Sequence, residues 1–165
     1  MRETRAVREA RRAREFEAFV AGAGGRLLQS ATLLTAEAPE DNPRARRLLT
    51  HALAHTYACW DRLRGEDPYN HARESLAVRF ARGTWRRWHR HGGPLLAGPL
   101  APLSPQQRLV VVLRLHEGVA EEQVGALLGL PANRVQTVCE RATAALLHPP
   151  RGPAPARVTV KAAAS

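Results

Sequence analysis

The stretch that most constrains this chain is 103–147, LSPQQRLVVVLRLHEGVAEEQVGALLGLPANRVQTVCERATAALL. Its apolar residues recur at helical spacing: Leu109, Val112 and Leu113, then Val124, Leu127 and Leu128, then Val135, Val138 and Ala142. Gly118 ends the first run, and Gly129 with Pro131 separates the second from the third. The pattern predicts three helices with a tight turn before the last. A short helix, a Gly-containing turn and a longer helix make a helix-turn-helix. Such a unit lays its last helix in the major groove of DNA.

The charge balance points the same way. The 165 residues include 25 basic and 15 acidic ones, for a net charge of +10, and Lys161 is the only lysine among the basic set. A GC-rich genome can account for choosing Arg over Lys. It does not by itself produce the surplus, which favours a polyanionic partner. The surplus is uneven: residues 1–90 hold 18 basic and 11 acidic residues, net +7, whereas 91–165 hold 7 and 4, net +3. The helix-turn-helix half is the less basic one.

Cys59 and Cys139 lie far apart, and no CxxC occurs, which argues against a zinc knuckle or a redox pair. Cys59 sits among apolar residues and reads as a small core residue. No apolar run approaches the roughly 20 residues that span a bilayer. The opening MRETRAVREARRAREF is charged throughout and lacks the apolar centre of a signal peptide. The expectation is a soluble cytoplasmic protein in a reducing compartment, with no membrane partner.

Breakers divide the chain. Residues 3–21 read as one helix, interrupted at Gly22, Gly24 and Gly25, and a second runs from about Arg26 to Leu34. The segment 35–43 is a loop with two prolines. A third helix is expected over Arg44–Leu63. A fourth opens at Asp67-Pro68, with Asp67 as N-cap, and reaches about Arg90. HGGPLLAGPLAP (91–102) reads as a linker, and the Pro- and Ala-rich 148–165 as a disordered tail. With no convincing strand, the class is all-α. The domain boundaries are 1–90 for a helical domain, 91–102 for the linker, 103–147 for the helix-turn-helix domain and 148–165 for the tail.

VRFARGTWRRWHR (78–90) is the sharpest local cluster. Arg79, Arg82 and Arg86 are three and four apart and share a helix face, with Arg87 and Arg90 nearby. Such a face can track phosphates. A Trp beside it, Trp85 or Trp88, can stack on an unpaired base. The competing reading makes each Trp core and the arginines a solvated face. In the last helix, Asn133, Arg134, Gln136, Thr137 and Arg141 are the candidates for DNA contact: Arg pairs with guanine, Asn or Gln with adenine. That helix could instead pack on a protein.

Seven histidines raise the question of a metal. His51 and His55 are four apart, a two-ligand spacing, but the run is HALAH rather than HExxH, and no third ligand is evident. No metal or other cofactor is expected. There is no Gly-rich phosphate loop, no GxSxG serine and no believable carboxylate pair, so the chain is not expected to be an enzyme.

Three stretches resemble a known family. REFEAFVAGAGGRLLQSATLLTAEAPED (14–41) is similar to the opening of extracytoplasmic-function sigma factors of the SigE-like group. YACWDRLRGEDP (57–68), with Tyr57, Trp60 and Asp61, resembles that group's second characteristic stretch, and 103–146 resembles its promoter-reading domain. The Leu-Ser-Pro-x-Gln-Arg opening and the Glu-Gly turn are the specific parts.

The resemblance implies a bacterial sigma factor: a region 2-like helical domain, a short linker and a region 4-like helix-turn-helix domain. It also implies core RNA polymerase and promoter DNA as partners, with an anti-sigma factor as a third. The polymerase clamp would meet 46–57, including Arg47, Thr50, His51 and Tyr57. The melted promoter strand would meet 71–88, and the duplex 131–141. Contact positions depart from the family. Arg47, Thr50 and His51 stand where it has an acidic Asp-x-x-Gln-Glu, and Val78 falls near a customary Asn. Asn133 to Val138 replaces Gly-Thr-Val-Lys-Ser-Arg, losing two cations and regaining one at Arg134. Two other readings use the same residues: a sigma-like binding module that no longer initiates transcription, or a regulator that uses the helix-turn-helix alone.

Overall fold

The computed structural model describes the backbone of residues 2–63, 65–87 and 96–148, and side chains for 5–63, 65–83 and 96–148. Among the described residues, six α-helices follow in order: α1 (Arg2–Thr35), α2 (Pro43–Cys59), α3 (Pro68–Arg87), α4 (Pro105–Val111), α5 (Glu121–Leu128) and α6 (Ala132–Leu147). Among the described residues there is no strand, only an isolated bridge between Ala38 and Asp41. The all-α expectation holds.

The break expected at Gly22, Gly24 and Gly25 does not occur. α1 runs unbroken through all three. Glycine costs a helix about 1 kcal/mol relative to alanine. The helix is held beyond that point by burial: Leu27, Ala31 and Leu34 are fully enclosed, packed against α2 and α3. Tertiary packing overrides the local preference. Nor does the third helix run to Leu63. It stops at Cys59, and a single 3-10 turn, Trp60–Arg62, follows.

Between α1 and α2 a tight corner is built on Ala36, whose φ of 52° is left-handed. The Ala36 carbonyl then accepts from the N–H groups of Ala97 and Gly98 at 3.1 and 2.9 Å. A Cβ on Gly98 would lie 2.6 Å from the Glu37 carbonyl oxygen, so only glycine allows this approach. The segment before α4 is thereby tied to the α1–α2 corner. Leu100 and Leu103 beyond it are buried.

The α2 N-terminus is capped from outside the helix. Asn42, at the N-cap position, makes no capping bond. Instead the Glu37 carboxylate accepts from Arg44 N at 3.0 Å and Ala45 N at 2.8 Å. Burial pushes the Glu37 carboxyl up, but the bonds from Arg44, Ala45 and Thr35 outweigh it and leave it below its ordinary value. At α3 the Asp67 side chain caps as expected, accepting from Tyr69 N at 2.9 Å.

The motif opening the C-terminal half is a capping box. Ser104 Oγ accepts from Gln107 N, and Gln107 Oε1 accepts from Ser104 N. Arg108, one residue on, is buried and donates to the Leu103 carbonyl at 3.1 Å. A π-helical turn over Val112–His116 ends α4, and Gly118 and Gly129 take positive φ (69° and 67°) after it and after α5. The helix-turn-helix with its Gly-Leu-Pro turn is thus present as α5 and α6. One cluster of buried apolar residues runs from Ala31 and Leu34 through Leu76 and Phe80 to Leu109, Val124, Val135 and Ala142.

Candidate nucleic-acid interface

On α6 the chain's heptad-like spacing separates two faces. Val135, Val138 and Ala142 are buried against α4 and α5. Asn133, Arg134, Gln136 and Arg141 are exposed, and Thr137 is half-buried. Two of these polar groups are already engaged: Thr137 Oγ1 donates to the Asn133 carbonyl at 2.9 Å, and Gln136 Nε2 to Glu140 at 3.0 Å. Arg134 and Arg141 are the cations on this exposed face.

On α3, Arg79 and Arg82 are exposed and lie on the same groove. The groove has a volume of about 660 Å³ and runs between α2 and α3; His51, His55, His71 and Glu74 line it, and Leu127 of α5 reaches it from the C-terminal half. It brings together Arg79 and Arg82 with His51, residues assigned above to different partners. The helix backbone continues through Arg87, so Arg86 and Arg87 follow on the same element. The side chains of Trp85, Arg86 and Arg87, and all of Trp88 and Arg90, lie outside the described residues, as does the tail from 149.

Arg47 and Thr50 are exposed on α2, beside His51. Tyr57 is different. Its ring packs on Phe16 at 4.9 Å and under the Arg12 guanidinium at 4.3 Å, and Arg12 also donates to the Tyr57 carbonyl. Phe16 meets Trp60 edge-on at 5.1 Å, and Phe19 meets Trp60 at 5.5 Å. This aromatic group joins the outer part of α1 to the end of α2. The helical spacing of Phe16 and Phe19 gave no sign of it, because its partners lie some 40 residues on.

Sequence reasoning also missed a buried carboxylate. The Glu117 side chain is fully enclosed. It accepts from Ser30 Oγ of α1 and the Tyr69 hydroxyl of α3, and pairs with Arg26 at 3.4 Å. Burial, then the bond to Glu117 and its charge, push the Tyr69 phenol up to about 12. The Glu-Gly turn that carries the resemblance is therefore where the two halves of the chain are bonded together.

Two curated proteins are similar to this chain. The RNA polymerase sigma-E factor of Streptomyces coelicolor is 30% identical over 152 residues, covering 80% of this chain and 84% of that protein. The RNA polymerase sigma-E factor of Streptomyces avermitilis is 30% identical over 152 residues, covering 80% and 83%. No protein-family profile matches the chain, and no solved structure matches it. No helix among the described residues is long and apolar enough to cross a membrane. At this identity and coverage, the chain belongs to the extracytoplasmic-function sigma factors, as a divergent member with a sigma-factor role in transcription initiation.

Proposed function

We propose that this protein binds core RNA polymerase and directs it to promoters, with α2 against the enzyme, α3 on the opened strand and α6 on duplex DNA. One observation carries the reading: α6 buries Val135, Val138 and Ala142 while Asn133, Arg134, Gln136 and Arg141 face solvent. That is what a groove-reading helix requires, a rigid apolar back and a polar front. Arg79 and Arg82 support it, as exposed cations on a second helix, and Trp85 with Arg86 and Arg87 prolongs their row in sequence. Arg47, Thr50 and His51 are the α2 residues that meet polymerase in this reading, with Tyr57 setting the shape of the helix end. An anti-sigma factor would compete for the same surfaces. The test is gel filtration of the purified protein with core polymerase, followed by transcription from a promoter library. Co-elution and a transcript are expected; neither one appearing overturns the reading.

A second reading is favoured by the basic character of Arg47 and His51 at positions where the family is acidic. Reversed charge across an electrostatic interface opposes association with an unchanged partner. A sigma-like module that holds a regulator without initiating would then be captured with that regulator and without polymerase.

A further inference from the structure

His51 and His55 share a face of α2, but the fold gives His55 other companions. One turn on, at i+4, is Cys59, and across the α2–α3 contact stands His71. One ligand atom from each of His55, Cys59 and His71 lies within 4.8 Å of the others. The two imidazoles are stacked, with centroids 5.3 Å apart and planes 22° from parallel. Cys59 is buried and is a free thiol.

The surroundings of His71 fix which of its nitrogens is available. Thr56, fully buried, gives its hydroxyl proton to the Ala52 carbonyl at 3.0 Å. A hydroxyl has one proton. Its oxygen can therefore only accept from His71 Nδ1, which lies 3.2 Å away. With the Thr56 proton on the Ala52 carbonyl, Nδ1 of the neutral ring carries the hydrogen and Nε2 keeps the lone pair. Holding one ring nitrogen by a hydrogen bond so that the other can ligate is how proteins orient metal-binding histidines. Arg62 Nη2 donates to Cys59 Sγ at 3.0 Å, a contact that a sulfur ligand can keep. His55 and His71 line the open groove between α2 and α3, so an ion has a route in.

We propose that His55, Cys59 and His71 form a binding site for a borderline-soft divalent transition metal, Zn²⁺ above all. Two imidazoles and one thiolate suit that ion, and a three-residue set leaves a fourth position for water, or for His51 or Glu74 on the same groove. Bonds of about 2.0–2.3 Å in a tetrahedron bring ligand atoms to roughly 3.5 Å apart. Side-chain rotation on two packed helices closes that gap. The metal would bind with loss of the thiol proton to solvent and would cross-link α2 to α3. The site stands on this geometry alone and does not depend on the promoter reading.

The probe is Co²⁺, titrated into the full chain after stripping with a chelator. One equivalent is expected to bind, with a thiolate-to-cobalt charge-transfer band and the intense visible bands of tetrahedral cobalt, and Zn²⁺ should displace it. Zn²⁺ should also raise the melting temperature. His55 is exposed, so His55→Ala leaves the metal-free fold intact. It should weaken binding by at least about tenfold, since even outer-shell changes cost that much, and abolish the thermal shift. Cys59→Ser should remove the charge-transfer band. A wild-type complex without that band, or His55→Ala binding as tightly as wild type, overturns the proposal.

Discussion

The Tyr69 hydroxyl sits astride both oxygens of Glu117, at 3.0 and 2.9 Å, and shares its proton between them. Arg26 covers the pair, with its guanidinium carbon 5.2 Å from the centre of the Tyr69 ring. Two helices from the N-terminal half, α1 and α3, and the turn after α4 thus meet on one enclosed carboxylate. Tyr69→Phe removes a bond to a buried charge while keeping the ring. It should cost about 1.5–3 kcal/mol, read as a lower urea midpoint. The pH dependence follows from the raised phenol. The folded value of about 12 lies above the ordinary 10.0, so the contribution is complete below pH 10 and is lost as pH rises through about 12. Tyr69→Phe should flatten the wild-type loss of stability in that alkaline range.

Glu37→Gln tests the borrowed cap of α2. The carboxylate accepts from two backbone N–H groups and from Arg44 Nε at 2.9 Å. Loss of a helix cap costs typically about 1 kcal/mol, and thermal or urea unfolding should register it. The folded carboxyl lies below the ordinary 4.5, so this stability is present above pH 4.5 and is lost as pH falls through the depressed value. The variant should lose less stability than wild type on acidification.

The corner at Ala36 and Gly98 makes two opposite predictions. Gly98→Ala places a Cβ 2.6 Å from the Glu37 carbonyl and 2.9 Å from Ala36 C, both backbone atoms that yield reluctantly. Overpacking of this kind costs about 1–3 kcal/mol. Ala36→Gly should stabilise instead, by up to about 1 kcal/mol, because an L-residue in the left-handed region is strained by about 1–2 kcal/mol. Chemical denaturation of the two variants side by side decides both signs.

Arg82→Ala and Arg134→Ala probe the two cationic faces. If each side chain contacts a phosphate, each substitution should weaken DNA binding and reduce the slope of log affinity against log salt by about one unit. Fluorescence anisotropy over a salt series, on duplex and on forked promoter DNA, measures this. Arg134→Ala should act on duplex and Arg82→Ala on forked DNA; unchanged slopes would mark those faces as merely solvated.

Much of the local structure was legible in the residues. The periodicity at Val124, Leu127, Val135 and Val138, the glycines at 118 and 129, and the Ser-Pro-Gln-Gln run each act within a few residues. Those signals gave α4, α5 and α6 with their turns. Asp67 capped α3 as its type suggests. The exposed positions of Arg79, Arg82, Arg134 and Arg141 followed from helical spacing alone.

What failed was whatever depended on a distant partner. Gly22, Gly24 and Gly25 read as a break because their cost is local, while the burial of Leu27, Ala31 and Leu34 that overcomes it is not. Glu117 looked like a turn residue until Ser30, Tyr69 and Arg26 closed around it. The stacking of His55 on His71 left no trace in the local pattern because His71 belongs to another helix. The sequence by itself determined that the fold class is all-α, which faces are apolar and how much positive charge the chain carries, since these depend on neighbours along the backbone. Only the tertiary structure decided which charges are enclosed, which side chains meet across helices and how the two halves are joined, because burial and pairing are set by contacts between residues far apart in the chain.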